Sequence, residues 1–167
     1  IHDNSDYLLF DLVCHLGTTL AAIIILRKEI IEIIFHKQKR AFFLFVAILP
    51  LFPMYFLIHP YIKWIDNLSF TGFFLIVTAV FLYICTKSTT RSLPPRTYTK
   101  IKDVLFIGSM QAAALFPGIS RSGSTISAAC IRGWNIKEAI CFSFLLAIPT
   151  TMGGNFIEIA KAIKTNT

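Results

Sequence analysis

Nine residues, Pro117-Gly118-Ile119-Ser120-Arg121-Ser122-Gly123-Ser124-Thr125, bring one arginine, two glycines and four hydroxyl side chains together inside an otherwise apolar stretch. That set suits a phosphate. Pro117 and Gly118 end one helix, and Ser120 can cap the next. The unbonded N–H groups at that helix start, with the positive end of the dipole behind them, make an anion site. Arg121 adds a permanent charge and a planar fork that matches phosphate oxygens. Ser122, Ser124 and Thr125 supply further hydroxyls, and Gly118 and Gly123 let a ligand come close to the backbone. The plainer account, small residues that only let helices pack closely, covers the serines and glycines. It does not cover Arg121, because an arginine within a membrane segment is costly and marks a functional site by default. In an ordinary loop the same arginine would be merely solvated.

Other chemistry-bearing residues are sparser. Gln111, ten residues before Arg121, could orient a water or a metal-bound phosphate; an interhelical hydrogen bond explains it equally well. Asp11 and His15 stand at i,i+4 and share a helix face, either as a structural pair near the membrane boundary or as a polar face lining the same cavity as the 117–125 turn. Glu138 reads as a helix cap with Asn135 rather than as a catalytic acid. Cys85-x5-Arg91 matches the spacing of cysteine-dependent phosphatases, but that chemistry needs a strand–loop–helix cradle, and no strand precedes Cys85. The four cysteines (Cys14, Cys85, Cys130, Cys141) show no CxxC spacing. They read as buried small hydrophobes, with no zinc site or disulfide framework and no metal ligand set of their own.

The elements that must position these residues are membrane helices. Of the 167 residues, 55% are hydrophobic and 15% charged, and 16 are phenylalanine; soluble domains are about 45–50% apolar and about 25% charged. Mean hydropathy is +0.67. The net charge of +7 could suggest nucleic acid, but the cations cluster between apolar blocks and no basic–aromatic surface appears, so no nucleic-acid partner is expected. The sequence predicts an all-α, polytopic transmembrane fold in a single domain over 1–167, with spanning helices at about 7–35, 41–62 and 67–86. The basic stretches 27–40 and 86–102 belong on the cytoplasmic side, and 60–67 outside. The next apolar stretch is split by Pro117-Gly118 into two pieces that, at about 1.5 Å per residue, are each too short for a core of about 30 Å. Both flanks are basic. A re-entrant helical hairpin over about 103–133 accounts for both facts; one kinked spanning helix is the alternative. A last helix over about 136–163 should kink near Pro149, with Gly153-Gly154 marking a break or a close helix contact. The chain begins without Met and stops soon after an apolar segment, which reads as a fragment.

Phe116 to Thr125, with Gln111 upstream and Phe142-Ser143-Phe144-Leu145-Leu146-Ala147-Ile148-Pro149 downstream, resembles the bacitracin-resistance type of undecaprenyl-diphosphatase. Phe10-Asp11-Leu12-Val13-Cys14-His15-Leu16-Gly17-Thr18 is similar to the segment after that family's first motif. The resemblance implies a multi-pass enzyme of the bacterial inner membrane that removes the terminal phosphate of undecaprenyl diphosphate, recycling the carrier lipid of peptidoglycan synthesis. It implies an inverted-repeat fold with two re-entrant hairpins, of which this chain would be one and a half units. It also implies a divalent cation, Mg2+ or Ca2+, with ligands mainly outside this chain. Ser120, Arg121 and Thr125 would be catalytic, and Gly118, Ser122 and Gln111 would bind substrate. The family's N-terminal motif, two glutamates followed by a serine and a histidine, does not occur in these residues, and neither do its final spanning helices. The expectation is therefore a chain inactive alone within a parent enzyme. A lipid-phosphate transporter or flippase using the same arginine is the competing reading. Oligomeric state is open, a homodimer among the options.

Overall fold

In a computed structural model, residues 3–61, 68–89 and 100–165 are described, all of them helical or connecting segments. The helices are α1 (Asp3–Ile25), α2 (Arg27–Phe35), α3 (Gln38–Ile48), α4 (Leu51–Ile58), α5 (Leu68–Thr89), α6 (Ile101–Ala113), α7 (Arg121–Ile131) and α8 (Ile136–Thr165), with a 3-10 turn at His59–Tyr61 after α4. Three segments are long and apolar enough to cross a membrane: Gln38–Ile58, Phe70–Lys87 and Ile136–Ile157. The expected outside loop 60–67 and basic stretch 86–102, including Arg91, lie largely outside the described residues.

The molecule is built small-inside and large-outside. α7 lies at the centre, packed by α5, α6 and α8. Its buried residues are Gly123, Ser124, Thr125, Ser127, Ala128, Ala129 and Cys130. The outward faces carry Phe45, Phe56, Phe73, Ile76 and Phe156. Water would penalise that arrangement and hydrocarbon does not. Between helices in lipid, close approach of small side chains supplies the attraction that burial supplies in soluble cores. A side chain on Gly108 would strike the Ala47 carbonyl oxygen, so α6 and α3 cross backbone to backbone. Trp134 and Phe142 pack edge-on at 5.1 Å between centroids and close the core at the base of α8.

Several boundaries differ from expectation. The helix expected over 7–35 is broken at Leu26 into α1 and α2. The one expected over 41–62 is broken between Ile48 and Leu51, where Pro50 stands, and Pro53 falls in the first turn of α4. Pro149 interrupts nothing: α8 is one element of 30 residues. Next to the proline the Thr150 hydroxyl donates to the Leu146 carbonyl (2.9 Å) and the Thr151 hydroxyl to the Ala147 carbonyl (2.8 Å), which ties together a turn whose backbone ladder has lost a donor. Gly153 and Gly154 are neither a break nor a close contact; the space beside both is open among the described residues. At the start of α8, Asn135 Oδ1 accepts from the Lys137 N–H at 2.9 Å, an N-cap bond to the second helical residue. The Glu138 carboxylate also reaches the Arg40 guanidinium of α3, 3.3 Å away. Of the cysteines, Cys85 and Cys130 are buried as expected, Cys141 is half-buried and Cys14 is exposed, all as free thiols.

Candidate anion-binding site

The site begins with two short arms. α6 has 13 residues and α7 has 11; at about 1.5 Å per residue neither reaches much beyond 20 Å. The reversal between them winds down in 3-10 steps, Ala114 N–H to Gln111 O at 3.0 Å, then Leu115 to Ala112 at 3.1 Å and Phe116 to Ala113 at 3.2 Å. It turns at Gly118, whose φ of +95° lies in the left-handed region that favours glycine. A Cβ there would also sit 2.5 Å from the Thr71 carbonyl oxygen of α5. Phe116 anchors the turn on Phe74 of α5 with ring centroids 5.2 Å apart. At the far end α7 closes in a Schellman cap: Trp134 N–H bonds Ala129 O at 3.0 Å and Gly133 N–H bonds Cys130 O at 2.9 Å, with Gly133 at φ +82°.

Ser120 is the N-cap of α7. Its Oγ accepts from the Gly123 N–H at 3.2 Å, and its own N–H donates to Thr78 Oγ1 of α5 at 3.1 Å. The Thr78 hydroxyl also lies 3.3 Å from the Gly118 carbonyl, so one threonine holds both sides of the turn. The Arg121 and Ser122 N–H groups have no carbonyl of a preceding helical turn to bond. A cavity of about 250 Å³ beside this helix start is lined by Arg121 and Ser122 of α7, Thr18, Thr19 and Ala22 of α1, and Ser143, Phe144, Ala147, Ile148 and Thr151 of α8. Inside that wall the Arg121 guanidinium donates to Thr150 Oγ1 at 2.8 Å and to Thr151 Oγ1 at 2.7 Å. Thr125, one turn further along α7, is buried; its hydroxyl meets Ser143 Oγ at 2.6 Å and reaches the Arg121 carbonyl at 3.0 Å.

Of the residues singled out from sequence, Arg121 and Ser122 line the cavity and Ser120 caps the helix behind it. Thr125 stands one layer back and touches the wall through Ser143. Gly118 shapes the turn from the α5 side. Gln111 is not brought to the cavity. It is buried on α6, and its Nε2 has no partner among the described residues; Ser124 and Ser127 on α7 are likewise buried without one. His15 is exposed, and its carbonyl accepts from Thr18 at 3.0 Å and Thr19 at 2.7 Å, so α1 meets the cavity one turn after it. The Asp11 side chain lies outside the described residues. Thr78, Ser143, Thr150, Thr151 and Thr19 were not singled out as site residues. Their one sequence signal is a hydroxyl in an apolar helix, which is more often a local bond to the preceding turn.

The residues that form the cavity do not suit a divalent cation. Mg2+ and Ca2+ require carboxylate and carbonyl oxygens, and here the wall carries neutral hydroxyls beside a guanidinium. Among the described residues no group of three or more His, Cys, Asp or Glu comes together. The arrangement fits an anion: a fixed cation, a helix start and the Ser122 hydroxyl beside an apolar wall.

Fold and site together define an all-α membrane protein with a capped helix start and its arginine beside a cavity among the neighbouring helices. The chain belongs to the family described as bacitracin resistance protein BacA, whose model matches residues 1–167. It is 37% identical over 158 residues to the undecaprenyl-diphosphatase of Protochlamydia amoebophila, covering 95% of this chain and 60% of that protein. It is 37% identical over 161 residues to the undecaprenyl-diphosphatase of Methanococcus vannielii, with 90% and 64% covered. It is 35% identical over 169 residues to that of Carboxydothermus hydrogenoformans, with 98% and 63% covered. The chain thus spans about three fifths of the length of these relatives.

Proposed function

We propose that the whole protein is an undecaprenyl-diphosphate phosphatase of the bacterial inner membrane and that this chain supplies the half of its site that holds the anion. The observation that carries the reading is Arg121 at the capped start of α7, facing a cavity whose other walls include Phe144, Ile148 and Ala22. A charged head with an apolar tail is the ligand class that such a wall accepts. The names of the relatives supply the particular one.

In this proposal α6 and α7 form a re-entrant hairpin, and the three long apolar segments span the bilayer. Arg121 and the amides at the start of α7 hold the diphosphate and offset the charge that develops as the terminal phosphoryl group leaves. The apolar wall takes the first part of the prenyl chain. The divalent cation that the family resemblance implies would take its carboxylates from beyond the described cavity, as would the group that activates the attacking water or hydroxyl. This chain alone then binds the anion without turning it over.

The test is phosphate release from undecaprenyl diphosphate by the full-length protein in detergent, with and without Arg121→Ala. The expected result is release by the parent and loss of about a hundredfold or more in kcat/KM in the variant, the scale of removing one donor from a site that stabilises developing charge. Binding of the lipid without release would point to a transporter. Unchanged release and binding in the variant would remove Arg121 from the site.

A further inference from the structure

Resting on the reading above, we propose that Thr150 and Thr151 are positioning residues that aim the Arg121 guanidinium into the cavity without cancelling its charge. Arg121 belongs to α7 and the two threonines to α8, so the interaction crosses between elements. Each terminal nitrogen of the fork meets its own hydroxyl, Nη1 at 2.8 Å from Thr150 Oγ1 and Nη2 at 2.7 Å from Thr151 Oγ1. Both hydroxyl protons are committed elsewhere, to the Leu146 and Ala147 carbonyls of their own helix, so each oxygen turns lone pairs toward the arginine. A threonine bonded back to its own helix has a fixed χ1, so the two acceptors are set before the arginine arrives.

The chemistry of the acceptor matters. A carboxylate in the same place would hold the fork more strongly, but it would compete with a bound phosphate for the positive charge. A hydroxyl orients and leaves the charge in place. Of the five N–H donors of a guanidinium, two are used on the threonines, and three remain for oxygens of a ligand. The rest of the wall supports that choice: Thr18 and Thr19 on the opposite side also donate to their own helix, at the His15 carbonyl. The described hydroxyls of α1 and Thr151 thus present lone pairs, which repel an anion, and Arg121 is the cation lining the same wall. An anion entering the cavity is directed to the arginine rather than spread over the hydroxyls.

The experiment compares four forms of the full-length protein: the parent, Thr150→Val/Thr151→Val, Thr150→Ser/Thr151→Ser, and the valine pair combined with Arg121→Ala. Valine keeps the shape and removes the acceptor, while serine restores it. The expected result is a fall of about tenfold in kcat/KM for undecaprenyl diphosphate and a matching loss of inorganic pyrophosphate affinity in the valine pair, the scale of hydrogen bonds to a charged group. Serine should return both to within about twofold, and should also restore whatever thermal stability in detergent the valine pair loses with its bonds to the Leu146 and Ala147 carbonyls. Because the threonines act through the arginine, the valine pair should add nothing in the Arg121→Ala background. Equal losses from the valine pair in both backgrounds would overturn the inference and make the threonines simple packing residues. Wild-type kinetics in the valine pair, with Arg121→Ala inactive, would overturn it and leave the site reading intact. Wild-type kinetics in Arg121→Ala itself would remove the site reading with it. If the double valine form does not fold, Thr150→Val and Thr151→Val separately give the same comparison, each with its serine control.

Discussion

Arg132 Nε lies 2.6 Å from Asp103 Oδ1, joining the C-cap residue of α7 to the first turn of α6 across the open base of the hairpin. The two partners differ in burial: the Asp103 side chain is 5% exposed and that of Arg132 41%. Removing the arginine strands a buried carboxylate, and removing both does not. Arg132→Ala should therefore destabilise by about 3 kcal/mol, and Asp103→Leu/Arg132→Leu by clearly less. Thermal unfolding in detergent compares them, and equal destabilisation would show that the pair carries no buried charge.

Gly118 combines two constraints, a left-handed φ and a Cβ position 2.5 Å from the Thr71 carbonyl oxygen. Gly118→Ala should cost more than about 2 kcal/mol, since the backbone strain alone is about 1–2. The movement needed to relieve it would carry Ser120 away from Thr78. Loss of phosphate release together with lowered thermal stability is the expected pair of readings. Gly123→Ala faces only side chains, Ser120 at 3.1 Å and Thr78 at 3.4 Å, and should be milder in both.

Thr125 and Ser143 bond each other in the interior at 2.6 Å, and each single truncation removes that bond from the other hydroxyl, with Thr125 keeping its reach to the Arg121 carbonyl. Thr125→Val and Ser143→Ala should each destabilise by about 1–2 kcal/mol, while the double variant should cost less than their sum. A double-mutant cycle read by thermal unfolding measures the difference. Strict additivity would mean that the two hydroxyls do not support each other.

Arg121→Lys keeps the charge and loses the fork. A single ammonium cannot satisfy two threonine oxygens and a phosphate in one plane. We expect kcat/KM for undecaprenyl diphosphate to fall at least tenfold, with the loss smaller than in Arg121→Ala. A lysine form as active as the parent would mean that charge alone serves.

How much of this was legible in the sequence follows from where the information resides. The two arms and the turn were readable because Pro117-Gly118 breaks an apolar run locally and Ser120 and Arg121 announce a helix start. The break at Leu26 was not, because no proline or glycine stands there to signal it. Pro149 misled in the other direction: its cost is offset by hydroxyls at Thr150 and Thr151, and that compensation appears only when side-chain directions are known. The partners of the site suffered most. Thr78, Ser143 and the threonine pair lie 18 to 42 residues from the residues they bond. Nothing in their own neighbourhoods distinguishes them from threonines that bond the preceding turn.

Thr78 has a consequence for anyone who would move this site. With one oxygen it accepts from the Ser120 N–H and approaches the Gly118 carbonyl, so the reversal leans on a hydroxyl contributed by α5, 40 residues upstream of Gly118. The turn is not portable. Transplanted as a contiguous segment onto another helical scaffold, residues 101–131 would carry Arg121 and every glycine and serine of the motif, yet two backbone polar groups would arrive without their counterpart. A host needs a small hydroxyl residue at the matching height on a neighbouring helix. Without one, the arginine would be present and the cradle beneath it would collapse.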